Sequence, residues 1–479
     1  MRLIFEESAR GTEGLPEAFT HYLASRGPDL FQPGRPITIA RAPARIDCMG
    51  GIADYSGSVV FEGTLARAAI AAYQPRPDPV LRAHSATFAA AGRPYDARFD
   101  VGEMRKDDGS LKPYSELNAL LSGDPQSAWA GYVVGAPLVL EKETGHAPAP
   151  GGGFLLWSDV PIGVGIASSA ALEVAALYAV TEHFDIEIEP ERFCALAQMI
   201  ENRVVGAACG IMDQTTAALG EAGKLLAIRC RPCQIMGQHE MPPGIRVFGL
   251  SSRVVHSVAG DAYTRARASA FMGLKIILDE KRKRGQPITE ADEYLCSIPP
   301  AQYVSEFRHL IPQQMRGADF LEEYGETTDP VTQVDPETTY RVRAGTDHPV
   351  FENRRVEAFI RCMDPARAGD RTALVEAGGL MYASHASYGW NCRLGCAETN
   401  LLVALARRLG PERGVYGAKI TGGGSGGTVA VLADANVEPR IRQAAEEYEW
   451  TTGLEPDIFD GTSPGAFAFG PRRCRFEEE

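Results

Sequence analysis

The stretch Ser158–Val180 reads SDVPIGVGIASSAALEVAALYAV. It follows the apolar run Gly153–Trp157 (GFLLW), so the order is strand, glycine loop, helix. The helix is Ala-rich, with Leu172, Ala175, Ala176 and Ala179 on one face. Between strand and helix lie Gly163, Gly165, Ser168, Ser169 and Ala170. A helix N-terminus offers free N–H groups and partial positive charge, so it binds phosphate. Glycines let the backbone approach the anion closely, and serine hydroxyls bond phosphate or a magnesium ion. Serine also caps helices, but capping alone does not require both glycines and both serines. The loop lacks the Gly-Lys-Ser/Thr ending of a Walker A sequence, so a nucleotide would be held by another scheme.

Outward from this stretch, the 479 residues are too many for one ordinary core. The spacing predicts a short helix around Leu15 to Leu23, then a β-rich run Ile37–Arg41. A further helix starts near Pro190, with Phe193, Leu196, Ala197, Ile200 and Val204 as its apolar stripe. After residue 225 the strand 245–250 is followed by long helices around 263–283, 350–363, 371–387 and 396–408. Segment 284–348 reads as a polar, irregular insertion over the surface. The expected domains are 1–225 and 226–479.

Two more places carry chemistry. In Glu201–Gln214 (ENRVVGAACGIMDQ), Glu201 lies four residues after Ala197 and eight after Phe193, so it points inward, where a lone carboxylate is costly. Asp213 follows a glycine-punctuated loop. One carboxylate suits a magnesium ion and the other a proton, the division phosphoryl transfer needs; an ion-paired Glu and an N-capping Asp would be the structural alternative. The other place is Gly417–Leu432 (GAKITGGGSGGTVAVL). Gly422, Gly424 and Gly427 match G-x-G-x-x-G, and the Ser425 pentapeptide matches G-x-S-x-G. Both patterns demand a following helix, whereas Thr428–Leu432 is strand-like, so both matches are rejected. What remains is a five-glycine turn between two strands, open to close approach by a ligand or another loop.

A net charge of −14 with no basic stripe argues against nucleic acid. The opening MRLIFEESARGTEG is broken by acids and glycines, unlike a signal peptide, and no apolar run of about 18 residues exists. A cytoplasmic protein without a membrane partner is expected. Ten cysteines in a chain this long, Cys230-x-x-Cys233 and Cys392/Cys396 included, read as reduced and mostly buried thiols.

Three blocks together resemble the GHMP kinases: RAPARIDCMGGIADYSG (41–57), PIGVGIASSAALE (161–173) and KITGGGSGG (419–427). CGIMDQ (209–214), RVVHSVAGDAYTRAR (253–267) and SHASYGWNCRLGCAETN (384–400) resemble the galactokinase branch. EEYGETTDPVT (322–332) and DGTSPGAFAFG (460–470) are similar to the kinase half of plant L-arabinokinases. The resemblance implies a mixed α/β (α+β) fold: an N-terminal domain like ribosomal protein S5 domain 2, a C-terminal GHMP kinase domain, and an active site in the cleft between them. It implies ATP and Mg2+ as cofactors, and a sugar phosphorylated on its anomeric hydroxyl. Asp213 matches the catalytic base and Arg45 the cation beside it. Ser169 and Glu201 match magnesium ligands. Gly163, Gly165, Ser168, Ser169 and Ala170 match the phosphate loop, and Trp129 and Tyr132 the region near adenine. Gly51, Ile52, Asp54, Gly210, Asp213, Tyr263 and Gly423 are the implied sugar positions. Partners are then a small sugar and ATP, with the chain a monomer or weak homodimer.

Departures carry information. Ala44 replaces a glycine, Ala167 a serine, and Lys419 an arginine at a position that reads as surface. Galactokinases have Glu-His where Gly51-Ile52 stands, and that Glu resembles a partner for the sugar O6. A site for L-arabinose, which lacks the C6 hydroxymethyl, would leave such a carboxylate unpaired, and Ile52 could fill the vacated space. L-arabinose is therefore the preferred substrate and galactose the alternative. A catalytically inactive sugar/ATP-binding regulator is the reading of another class, disfavoured because Ser168, Ser169, Glu201, Asp213 and Arg45 are all present.

Overall fold

The computed structural model describes residues 1–7, 10–147, 149–255 and 261–478. Residues 256–260 of the stretch RVVHSVAGDAYTRAR lie outside the described residues.

A nine-stranded sheet runs in the order Arg2–Phe5, Arg472–Glu477, Ile37–Met49, Val59–Arg76, Gly151–Ser158, Val80–Ser85, Asp96–Asp100. Lys224–Arg229 pairs with the opening half of Val59–Arg76, and Gln234–Glu240 pairs with Lys224–Arg229. Among the described residues only Val80–Ser85 and Gly151–Ser158 pair in parallel. Ile37–Met49 is buried at every residue, as a strand covered on both faces must be. On one face lie the helices Gly131–Thr144, Ser168–His183, Pro190–Met199 and Met212–Leu219, around a core that includes Val133, Ala175, Phe193 and Ala217. All five apolar residues of the expected Pro190 stripe are buried.

The second unit is a four-stranded antiparallel sheet in the order Val415–Ile420, Thr428–Asp434, Ile245–Ser251, Ile458–Phe459. The helices Val342–Arg367, Arg371–Ser387, Ala397–Leu409 and Glu438–Thr452 belong to it. The five-glycine turn does join two strands, so its following segment is β, as expected.

The division at residue 225 needs correcting. Lys224–Arg229 and Gln234–Glu240 extend the first sheet, and Arg472–Glu477 returns to it between Arg2–Phe5 and Ile37–Met49. Unpaired backbone groups at the edges of Ile37–Met49 and Val59–Arg76 are satisfied by these later strands. Segment 284–348 also differs from the sequence reading. It does not merely cover the surface, because Leu295, Tyr303, Phe307, Ile311 and Phe320 build a core with Met272, Ile276 and Ile277 of the helix Asp261–Lys283.

Lys419 is not a surface residue. Its Nζ donates to Asp47 Oδ2 at 2.6 Å, and both side chains are fully buried. The pair joins Ile37–Met49 of the first sheet to Val415–Ile420 of the second. Lys419→Met leaves Asp47 as an uncompensated buried charge and is expected to cost about 3–5 kcal/mol in denaturant unfolding. Breaking the exposed pair Arg408–Glu447 by Arg408→Ala is expected to leave the unfolding midpoint nearly unchanged.

Candidate active site

The loop before the helix Ser168–His183 is pinned by its carbonyls. Arg45 N donates to Ile166 O at 3.1 Å, Arg45 Nη1 to Gly165 O at 2.8 Å, and Thr428 Oγ1 to Val164 O at 2.7 Å. Ala167 precedes the helix in the left-handed region at φ 61°, and no side chain caps it. The first-turn N–H groups are therefore without side-chain partners, as an anion site requires. The five-glycine turn packs directly on this loop: a Cβ at Gly422 would sit 2.7 Å from Gly165 O. The close approach of a second loop, one of the two alternatives open in the sequence, is what forms here.

Asp213 lies in the first turn of Met212–Leu219 but does not cap it. Arg45 Nε donates to its Oδ1 at 2.7 Å and Nη2 to its Oδ2 at 2.8 Å. Arg45 is 3% exposed and Asp213 18%, so the carboxylate faces the cavity and the cation lies behind it. Burial alone would lower the Arg45 pKa, but Asp213 and then Glu62 outweigh it and leave the guanidinium above its usual value. Glu62 is fully buried at 3.7 Å from Arg45, and neither carboxylate oxygen has a hydrogen-bond partner. Burial, and then the charge of Asp47, push its carboxyl well above the usual range.

Glu201 lies in a π-helical turn, Ile200–Val205, that ends the preceding helix. Such turns recur at functional sites. Gln214 Nε2 donates to Glu201 Oε2 and to Glu173 Oε2, both at 2.9 Å. Glu173 Oε1 is buried without a partner. Burial, then the neighbouring carboxylates, raise both acids, Glu201 to about 7 and Glu173 well above its usual range. Among the described residues no cluster of three or more His, Cys, Asp or Glu has metal-holding geometry. Two carboxylates with an orphaned oxygen beside the Ser169 hydroxyl nevertheless fit a hard, oxygen-preferring cation that completes its shell with water and phosphate. All ten cysteines are free, and eight of them are buried.

One cavity is lined by Arg45, Ile52, Asp54, Gly163, Gly165, Ser168, Ser169, Glu201, Gly210, Asp213, Tyr263 and Gly423, together with Ala167, Cys209, Met212 and Gly422. It draws on both units of the fold. Gly210 must be glycine, because a Cβ there would fall 1.5 Å from Asp54 Oδ2. Four expected residues are not in the lining. Ala170 is fully buried, so its side chain takes no part in the cavity. Trp129 packs edge-on against Phe88 and, with Tyr132, joins the core of the first unit. Gly51 lies behind the wall: His348 Nε2 is 3.2 Å from its carbonyl, and a Cβ would meet Tyr388 Oη at 2.0 Å and Asp47 Oδ2 at 2.3 Å. An acid at 51 is thus excluded by packing, and Ile52, buried at φ 60°, forms the apolar wall.

Sequence reasoning missed Glu173 and Gln214. Glu173 stands four residues after Ser169 on one helix, and that spacing could have found it. Glu62 had no local signal.

Residues 131–221 match the family described as GHMP kinases N terminal domain, and residues 370–449 match GHMP kinases C terminal. The chain is 33% identical to a galactokinase of Chloroflexus aggregans, over 88% of this chain and 92% of that protein. The chain belongs to the GHMP kinase family. It is also 36% identical to L-arabinokinase of Arabidopsis thaliana over 93% of this chain, but spans only 47% of that protein's length. The fold agrees with the Lactococcus lactis galactokinase complexed with galactose: TM-score 0.71, 21% identity, 94% of this chain and 98% of that one.

Asp54 sets a pH dependence. Burial, then the charge of Asp213, raise its pKa from 3.8 to about 6. Its contribution to stability is full below about 3.8 and lost as pH rises through about 6. Asp54→Asn is therefore expected to gain stability relative to wild type by about 1 kcal/mol between pH 5 and pH 7.5. Thermal unfolding of both proteins at the two pH values checks this; a gap independent of pH overturns it.

Proposed function

We propose that this sugar kinase of the GHMP family transfers the γ-phosphoryl group of ATP to the anomeric hydroxyl of a sugar. The supporting observation is the Asp213 carboxylate, held by two Arg45 N–H groups, in one cavity with the serines of an uncapped helix start. The C1 oxygen forms a bond to the γ-phosphorus, and the bond from that phosphorus to the β–γ bridging oxygen breaks. The hydroxyl proton passes to Asp213, or is oriented by it, through a lone pair left over beside Arg45. Arg45 also offsets charge that develops on the transferring group. The phosphates rest on the N–H groups that open the helix Ser168–His183. Ser169 and Glu201, with Glu173 behind them, would hold magnesium, which supplies charge neutralisation on the β- and γ-phosphates. Asp54, Gly210, Tyr263, Gly423 and Ile52 form the sugar end, and adenine lies towards the Trp129–Tyr132 region.

L-arabinose is the preferred sugar. The support is the apolar Ile52 wall and the similarity to an L-arabinokinase. One methylene-sized difference gives about 1–3 kcal/mol, so galactose is expected as a weaker substrate. The second reading is galactokinase, favoured by relatives of that name matched over about nine-tenths of their own length. No helix among the described residues is long and apolar enough to cross a membrane. A cytoplasmic monomer or weak homodimer completes the proposal.

Steady-state kinetics with both sugars decide between the two readings: kcat/KM higher for L-arabinose supports the first, and a preference for galactose overturns it. Asp213→Asn is expected to lower kcat by about 10²–10⁴-fold. Equal turnover in wild type and variant removes Asp213 from its role and reopens the reading as a binding protein.

A further inference from the structure

Segment 284–348 places one carboxylate on Arg267, behind residues that line the cavity. Arg267 Nε donates to Asp329 Oδ2 and Nη2 to Asp329 Oδ1, both at 2.8 Å, with the side chains 5% and 0% exposed. The remaining acceptor capacity of Asp329 is taken locally, by Thr332 Oγ1 and by Val331 N at 3.1 Å. A fork-to-fork pair of this kind fixes both partners in orientation as well as charge.

Arg267 in turn touches three parts of the sugar end. Its Nη1 donates to the Cys209 carbonyl at 3.2 Å, immediately before Gly210. Tyr263, one turn earlier on the same helix, and Asp54 both lie within the field of its charge. Its guanidinium sits 5.2 Å from the ring of Tyr55, the residue after Asp54. Without Asp329 this buried cation would need another counter-charge, and Asp54 is the carboxylate on hand. Capture by Arg267 would turn a sugar acceptor into half of an ion pair.

We propose that Asp329 is a positioning residue for the sugar end of the cavity: it occupies the Arg267 fork, so that Arg267 holds Tyr263 and the Cys209–Gly210 turn in place and leaves Asp54 to the sugar. This rests on the reading that the cavity takes a sugar. It gives segment 284–348 a part in the site rather than a covering role.

The test uses the full chain with L-arabinose and D-galactose as probes. Asp329→Asn is expected to raise the KM of the better sugar at least tenfold, with the KM for ATP within twofold and kcat within about threefold. Arg267→Gln gives the same split, and the double variant is no worse than either, because the pair acts as one unit. Arg308→Ala is the control. It breaks a bidentate pair with Asp347 packed in the same segment, at 2.9 and 2.8 Å, and is expected to lower the Tm without moving the sugar KM. If Asp329→Asn does not fold, Thr332→Val removes only one bond that orients Asp329 and shows the same split on a smaller scale. The proposal is overturned by an unmoved sugar KM, by sugar and ATP KM rising together, or by Arg308→Ala reproducing the effect. A wild-type chain active on either sugar with an unmoved KM in the variants removes this proposal alone. A wild-type chain active on neither removes the sugar reading and this proposal with it.

Discussion

The Arg45 guanidinium is the point on which the site depends. It donates to both oxygens of Asp213 and to the carbonyl of Gly165, while its own backbone N–H holds Ile166. One residue of the strand Ile37–Met49 thereby fixes the Asp213 carboxylate and the loop before the helix Ser168–His183 relative to each other. A rigid fork at 3% exposure does this better than a flexible ammonium could, because its donors are already coplanar. Catalysis by positioned charge needs this preorganisation, since groups that must reorient at the moment of reaction lose most of their effect.

Around that fork the protein concentrates buried charge. Asp47 and Lys419 tie the two sheets together, Glu62 sits unpartnered beside Arg45, and Glu173 and Glu201 share the single amide of Gln214. A buried carboxylate without a partner is unfavourable in a resting structure. It becomes useful where a cation or a hydroxyl is to arrive, which is why such groups gather at functional sites. The Ile52 backbone fits the same pattern: a β-branched residue at positive φ persists only where its surroundings over-determine it.

Much of this was legible along the chain. The loop–helix unit at 158–180, the strand after the five-glycine turn, the inward Glu201 and the apolar stripe from Phe193 follow from local spacing, because helix and strand periods put neighbouring residues on known faces. Segment 284–348 misled for the converse reason. Its short helices carry apolar residues with no long period, and only the helix Asp261–Lys283 against which they pack reveals a core. Lys419 read as exposed because nothing near it in sequence hints at Asp47, 372 residues earlier.

By itself the sequence determined the family and the strand–loop–helix order at 153–180, since these rest on residue type and short-range spacing, while Asp213, Arg45, Glu201 and the serines were candidates supplied by the family resemblance. Only the tertiary structure decided that Gly51 faces Tyr388 rather than the cavity, that Glu173 backs Glu201, that Lys419 is buried, and that Arg472–Glu477 closes the first sheet. Each of these depends on contacts between residues remote in the chain, and which remote residues meet is set by how the two sheets and their helices pack, not by any local pattern.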